Sequence, residues 1–192
     1  MARWMGYGKS WHDGCKINVH ISGKRGPEGL LKEFPKLSTE ARNLITIEND
    51  EMGHGLEHTL EVAHKIALVL DIHHHWIRAE EYIQPNDDRV KKVIDSWRGV
   101  RPTLHYSYSR DEHLAVANLG DKTHTEMHDI KMLLERGCKK QKLRAHSDLL
   151  PNRAVNDWAL SFGEHFDIQT EAKGKNIAAE QLYRQAVENS VI

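Results

Sequence analysis

The sequence lacks the features that mark several large classes of protein. It has only two cysteines, Cys15 and Cys138, which make no recognisable disulfide framework or metal motif. No apolar run approaches the ~20 residues that a membrane-spanning helix needs. The N-terminal residues contain no apolar stretch of the kind found in signal peptides. These absences predict a cytoplasmic protein in a reducing setting, with no membrane partner.

Neither sign of charge is in excess. Lys and Arg total 27 against 28 for Asp and Glu, so no overall positive field would attract a nucleic acid. Any contact with DNA would therefore come from local basic patches. With 192 residues and 39% hydrophobic content, the chain suits one globular domain over residues 1–192.

Short apolar runs rich in branched residues recur along the chain and predict five buried parallel strands. They cover residues 17–21, 44–48, 67–72, 103–106 and 166–171. Segments with helical spacing lie near residues 56–67, 90–97, 154–159 and 178–186. This alternation predicts an α/β fold, for which the pattern alone leaves a doubly wound sheet open. Five strands do not close a barrel, because the small closed form needs about eight.

Three other segments carry specific expectations. Residues 109–142 are predicted to form an inserted loop with one helix near residues 127–136. Residues 2–6 are interpreted as the tail of a helix that Gly6 ends. The spacing of His54, Glu57 and His58 matches a zinc peptidase motif, but the flanking glycines place His54 in a loop. We therefore interpret these histidines as a surface pair at the start of a helix.

Histidine is abundant, with 14 residues, and carboxylates accompany it at the C-terminal ends of the five apolar runs. The residues at these ends are His20, Glu48, Asp71 with His74, His105 and Glu171. Buried charged groups are costly unless they are paired or bound to metal, and parallel α/β barrels build active sites at strand C-terminal ends. The three carboxylates and the imidazole of His105 suit Mn²⁺ or Mg²⁺, with Zn²⁺ as an alternative. His146 is a further candidate ligand, so the set predicts more than one ion and phosphodiester hydrolysis.

Several motifs together resemble the UV damage endonuclease family. They are Ile-Thr-Ile-Glu-Asn-Asp at 45–50, Leu-Val-Leu-Asp-Ile-His-His-His at 68–75, Ala-His-Ser-Asp at 145–148 and Glu-Ala-Lys at 171–173. The resemblance extends in order from residues 15–20 to the last motif. It implies a (β/α)8 TIM barrel of the xylose isomerase-like type, related to endonuclease IV. It also implies a trinuclear Mn²⁺-type centre that nicks double-stranded DNA on the 5′ side of UV photoproducts and some other lesions.

Residue roles follow from that resemblance. It implies seven metal ligands: His20, Glu48, Asp71, His74, His105, His146 and Glu171. Glu48 would bridge two ions, with His20 on the first, and His74 and His146 would hold a third. The catalytic set would be Glu48, Asp71, His105 and Glu171. Six basic residues are candidate phosphate contacts: Lys9, Lys24, Arg25, Lys140, Arg144 and Lys173.

The chain departs from the family pattern in two ways. First, the resemblance covers strands four to eight of the barrel, so we expect only those strands here and a separate N-terminal part as a candidate partner. Some members carry a lysine two residues before the histidine that corresponds to His105, where this chain has Thr103. The gap from His105 to His146 is also unusually long for the family.

Two other functions fit parts of the sequence. A sugar isomerase or epimerase of the same fold would use Glu48, Asp71, His105 and Glu171 around one Mn²⁺. It would have no role for His20, His74 or His146. An open five-strand fragment could instead keep the ligands without catalysing a reaction, and its exposed edges would pair with another chain. Nicking of irradiated plasmid, compared with conversion of ketoses, separates these hypotheses.

Overall fold

Strands and helices alternate along the chain in the computed structural model, which describes residues 1–21 and 23–191. The strands are β1 Ile17–His20, β2 Ile45–Glu48, β3 Ala67–Asp71, β4 Thr103–Tyr106 and β5 Asp167–Thr170. The α-helices are α1 Gly26–Glu33, α2 Thr39–Leu44, α3 Leu56–Leu60, α4 Ile72–Ala79, α5 Asp88–Ser96, α6 Asp111–Leu114, α7 Ile130–Glu135, α8 Lys140–Leu143, α9 Arg153–Leu160 and α10 Asn176–Glu188. Short 3₁₀ helices cover Phe34–Lys36, Ala115–Ala117 and Gly120–His124.

The chain divides into two compact units. The first contains residues 1–70 and 86–102, and the second contains residues 71–85 and residue 103 onward. In the first unit, β1 pairs in parallel with β2, from Ile17 opposite Ile45 to His20 opposite Glu48. Strand β2 pairs in parallel with β3. In the second unit, β4 pairs in parallel with β5.

Two tryptophans hold the core of the first unit together. Trp11 and Trp97 pack with Ala67 and Val69 of β3 in one buried cluster. The indole N–H of Trp97 donates to the Leu68 carbonyl oxygen at 2.6 Å, and that of Trp11 donates to the Trp97 carbonyl at 3.1 Å. Both indole nitrogens therefore keep a hydrogen bond inside an apolar core, which lets β3 stay fully buried.

Aromatic rings pack in series through the second unit. Tyr82, Trp158, Phe162 and Phe166 meet edge to face, with ring centroids 4.8, 6.1 and 6.0 Å apart in that order. This is the geometry that aromatic quadrupoles favour, and it packs α9 next to the residues that lead into β5. The Trp158 indole also donates to the Ile83 carbonyl oxygen at 2.8 Å.

The sequence predictions of an α/β fold and of parallel strands are confirmed, with strand ends displaced by at most one residue. The helical spacing over residues 56–67 was extended too far, because α3 ends at Leu60 and turns follow it. In those turns Ala63 N–H bonds three residues back to Leu60, which tightens the chain before β3 begins at Ala67. The segment 109–142 contains α6, α7, α8 and two 3₁₀ helices rather than the single predicted helix.

The predicted stop at Gly6 is confirmed in detail. Gly6 has φ of 93° and its N–H bonds to the Arg3 carbonyl oxygen, while Tyr7 N–H bonds to that of Ala2. These two bonds are the Schellman pattern that ends a helical turn. His54 precedes α3, as predicted, with its ring centroid 5.4 Å from that of His58. Within the described residues, no helix is both long and apolar enough to span a bilayer.

Candidate metal centre

The first unit brings His20 and Glu48 together at the C-terminal ends of neighbouring strands. They are Cα partners in the β1–β2 register, and His20 Nε2 lies 3.3 Å from Glu48 Oε2. The other ring nitrogen, Nδ1, lies 3.4 Å from Asp50 Oδ2. Only 1% of the Glu48 side chain is exposed, against 42% for His20. The pair thus joins a buried carboxylate to an imidazole that solvent can reach.

Asn18 supports this pair, although it was not among the predicted site residues. Its side-chain N–H donates to Glu48 Oε2, and its Oδ1 accepts from the Thr46 hydroxyl at 3.2 Å. Asn18 and His20 lie two residues apart on β1, opposite Thr46 and Glu48 on β2. Side chains two apart on a strand share a face, so this spacing was the signal that could have revealed Asn18.

The second unit brings three of the predicted ligands to one place. Asp71, His105 and Glu171 each offer one ligand atom, and these atoms lie within 4.8 Å of one another. His105 Nδ1 lies 3.3 Å from Glu171 Oε1. Asp71 is fully buried and His105 is 5% exposed. The N–H of Glu171 donates to the Tyr106 carbonyl oxygen at 2.8 Å, which holds the start of the loop after β5 against the end of β4.

Asp71 also begins helix α4, and this contact places His74. The Asp71 carboxylate caps the helix by accepting from the His74 N–H at 2.7 Å. Because of this turn, the His74 ring lies back over the carboxylate, with Nδ1 3.5 Å from Asp71 Oδ2. The His146 ring has its centroid 6.2 Å from that of His74. The structure therefore places His74 beside Asp71 and His146 beside His74.

His73 was not predicted as a site residue, yet it is buried beside this group. Its Nδ1 lies 2.8 Å from Ser107 Oγ, and its Nε2 lies 3.1 Å from Ser109 Oγ. Burial holds the pKa of His73 well below its usual value, and repulsion from His74 and His146 lowers that pKa further. A neutral His73 is the consequence. The run of three histidines at residues 73–75 was the sequence signal that could have found it.

The donor set fits a divalent cation. The two carboxylates and one imidazole in the second unit form an oxygen-rich set that suits Mn²⁺ or Mg²⁺ and is also within the range of Zn²⁺. These side chains could thus bind a divalent ion, and the donor types alone do not select among Mn²⁺, Mg²⁺ and Zn²⁺.

The predicted phosphate contacts are divided between the two units. Lys9, Lys24 and Arg25 are exposed in the first unit, and Arg144 and Lys173 are exposed in the second. Lys140 forms an ion pair with Glu80 at 2.7 Å, and its hydrogen bond and charge lower the pKa of the Glu80 carboxyl. A role for these residues in DNA binding stays a prediction.

A comparison with known families matches residues 9–191 to the family described as UV-endonuclease UvdE. Curated relatives include a UV DNA damage endonuclease from Bacillus cereus strain B4264, 25% identical over 88% of this chain and 48% of the relative. Another is a UV DNA damage endonuclease from Bacillus thuringiensis subsp. konkukian, 23% identical over 90% of this chain and 49% of the relative. The chain spans about half the length of the curated relatives it matches.

The fold is also similar to a solved structure. The crystal structure of SacUVDE matches with a TM-score of 0.60 and 20% sequence identity, over 92% of this chain and 53% of the solved one. At this identity, the match shows the fold and no more. It agrees with the expectation of part of a TIM-type barrel and argues against the doubly wound alternative.

Proposed function

Since the chain belongs to the UV-endonuclease UvdE family, we propose that its metal ligands serve the hydrolysis of phosphodiester bonds in damaged double-stranded DNA. The observation that carries this proposal is the convergence of Asp71, His105 and Glu171, with ligand atoms within 4.8 Å of one another. Divalent ions bound there supply the positive charge that stabilises the attacked phosphate and the leaving 3′ oxygen. The product would be a nick on the 5′ side of the lesion.

The protein's own contribution is to hold these ligands in place and away from bulk water. The helix cap fixes Asp71 at the start of α4, and the backbone bond to Tyr106 fixes Glu171. The burial of Asp71 and His105 excludes the water that would otherwise solvate these ligands. Ligands held in this way need little reorganisation when a cation binds.

We assign the remaining ligands as the family resemblance implies. Mn²⁺ is the proposed ion, in two or three copies. His20 would help to hold the first, and Glu48 would contribute to two of them. His74 and His146 would hold the third. The contact of His20 with Glu48 at 3.3 Å, and the 6.2 Å separation of the His74 and His146 rings, support this assignment.

The substrate would be held through its phosphates by basic residues: Lys9, Lys24, Arg25, Arg144 and Lys173, which are exposed, and the half-buried Lys140. Lesions would be selected because damaged pairs leave the helical stack at lower cost than intact ones. A cytoplasmic location, where both free cysteines would stay reduced, is part of the same proposal.

A separate N-terminal part remains the proposed partner. Strand β1 pairs with β2 on one side, and its branched residues Ile17 and Val19 are 46% and 38% exposed. Parallel strands in α/β folds are usually covered on both faces, so this strand suits a further chain segment. Addition of a polypeptide with the first three strands should raise the activity of the chain.

The test is nicking of UV-irradiated plasmid, with undamaged plasmid and ketose substrates in parallel. We expect Mn²⁺-dependent nicks in irradiated plasmid only, alone or with the N-terminal polypeptide, and loss of nicking with EDTA or in Glu171→Gln. Lys32→Gln, on the exposed surface of the first unit, is the matched control and should nick normally. Ketose conversion without nicking would establish an isomerase. Metal binding with neither activity would establish a non-catalytic fragment.

A further inference from the structure

The His73 ring is fixed between two serines that belong to the extension of β4. Ser107 Oγ lies 2.8 Å from Nδ1 and Ser109 Oγ lies 3.1 Å from Nε2. The ring also stacks on Trp76, with centroids 5.7 Å apart and an interplanar angle of 23°. His73, Ser107 and Ser109 are 4%, 1% and 1% exposed, so these hydrogen bonds are shielded from water.

The hydroxyl partners determine which ring nitrogen carries the proton. The Ser109 hydroxyl donates its single proton to the Leu143 carbonyl oxygen at 2.6 Å. Its oxygen must therefore accept from His73, which places the proton on Nε2. The other nitrogen, Nδ1, then accepts from the Ser107 hydroxyl. The neutral ring is thus held in one tautomer and one orientation.

These contacts join the two segments that carry His74 and His146. His73 precedes His74 on α4, while Ser109 forms an antiparallel bridge with His146. The bridge is extended by the bond from Arg110 N–H to the Ala145 carbonyl oxygen at 3.0 Å. The His73 ring also meets the His146 ring edge to face, with centroids 6.1 Å apart. His73 therefore contacts the His146 segment directly through its ring, and indirectly through its hydrogen bond to Ser109.

The distance between His74 and His146 matters because a shared ion needs both rings within its reach. Two imidazoles that bind one ion through nitrogens at about 2.0–2.1 Å must have their rings close together. The observed centroid separation is 6.2 Å. Loss of the hydrogen bond to Ser109 would free the His146 segment to move against α4 and change this distance.

We propose that His73 is a positioning residue that, through Ser107 and Ser109, sets the distance between His74 and His146 so that the pair can hold one divalent ion. This inference rests on the proposed metal-dependent function. Groups that hydrogen-bond behind metal ligands typically contribute about 10–100-fold to metal affinity. His73 differs from them in orienting the ligand segments rather than bonding to a ligand ring.

The first test measures Mn²⁺ binding to the full chain by equilibrium dialysis with metal analysis. Ser109→Ala should weaken one Mn²⁺ by about 10–100-fold and leave any other ion unchanged. His73→Gln, which keeps an N–H donor near Ser109, should retain more of this affinity than His73→Leu. The matched control is His75→Gln, because His75 is buried on the same helix but its Nε2 contacts Glu81 Oε1 at 3.1 Å. This control should bind Mn²⁺ as the wild type does.

The outcomes separate the two proposals. A wild-type chain that binds no Mn²⁺ would overturn the proposed function and this inference with it. If the wild type and Ser109→Ala bind Mn²⁺ with equal affinity, this inference alone is overturned. Equal weakening in Ser109→Ala and His75→Gln would also overturn it, because that result indicates general loosening of α4.

The second test needs no metal. Long-range ¹H–¹⁵N spectra of the metal-free protein, with ¹⁵N-labelled histidine, report which ring nitrogen carries the proton. We expect His73 to be protonated on Nε2 in the wild type, and expect this signature to change in Ser109→Ala. A proton on Nδ1, or rapid exchange between both nitrogens in the wild type, would overturn the positioning role.

Discussion

The two units present their ligands in different surroundings. In the first unit, His20 is 42% exposed and stands on β1, whose neighbouring branched residues are also exposed. In the second unit, Asp71 and His105 are almost completely buried, and loops joined by backbone hydrogen bonds hold the ligand segments. Water can replace an exposed ligand more readily than a buried one. We therefore expect the second unit to dominate metal affinity and the first to modulate it.

The largest expected effect comes from Asp71→Asn. Asparagine still caps a helix, so α4 should keep its start, while the buried negative charge is lost. Mn²⁺-dependent nicking should fall on the order of 10³-fold, because charge stabilisation at the phosphate is lost. Circular dichroism should stay unchanged. If Asp71→Asn retained its activity, the conclusion that the second unit dominates metal affinity would be wrong.

A smaller effect is expected from Gly174→Ala in the loop after β5. A Cβ at this position would lie 2.5 Å from the Asp148 carbonyl oxygen, which is backbone and cannot move alone. We expect the free energy of unfolding to fall by about 1–3 kcal/mol, measured by urea denaturation. Gly14→Ala is the control, since its Cβ meets no atom within 4 Å. Equal stability of both variants would show that the ligand loops of the second unit are not tightly held.

The sequence predicted the strands well for a physical reason, while the ligand roles of the residues at their ends stay predictions. Buried parallel strands need branched apolar runs, and their ends must carry whatever polar groups the site uses. Asn18 and His73 were missed because their roles depend on which hydroxyls and carboxylates the tertiary fold brings to them. The length of α3 was misjudged because Ala67 fits helical spacing and a buried strand equally. The roles of such residues, and the point at which such a helix ends, depend on side chains that are neighbours in space, and local sequence patterns do not encode these contacts.

The comparison between the two units is sharpened by His20→Gln. We expect this variant to lose less Mn²⁺ affinity than Asp71→Asn. His20 contacts Glu48 and Asp50 but remains open to solvent, so water can occupy its place on an ion. Mn²⁺ affinity should fall about tenfold. A loss as large as that for Asp71→Asn would show that the first unit contributes equally.

The smallest effect concerns pH. Burial lowers the pKa of His128 in the second unit, while its hydrogen bond to the Thr123 carbonyl opposes that shift. Below about pH 6.5 the unfolded chain takes up a proton that the folded chain resists, so the free energy of unfolding should fall as pH falls. His128→Gln should show a shallower decline between pH 7 and 5 in urea titrations. An unchanged slope would contradict a neutral, buried His128.

The central claim is that Asp71, His105 and Glu171 bind a catalytic divalent ion, and crystallography tests it most directly. Crystals of the chain soaked in Mn²⁺ should show an anomalous difference peak at the manganese edge, within direct ligand distance of these three side chains. The peak should disappear in Asp71→Asn crystals treated in the same way. Manganese bound only elsewhere, or no peak at these residues, would contradict the account.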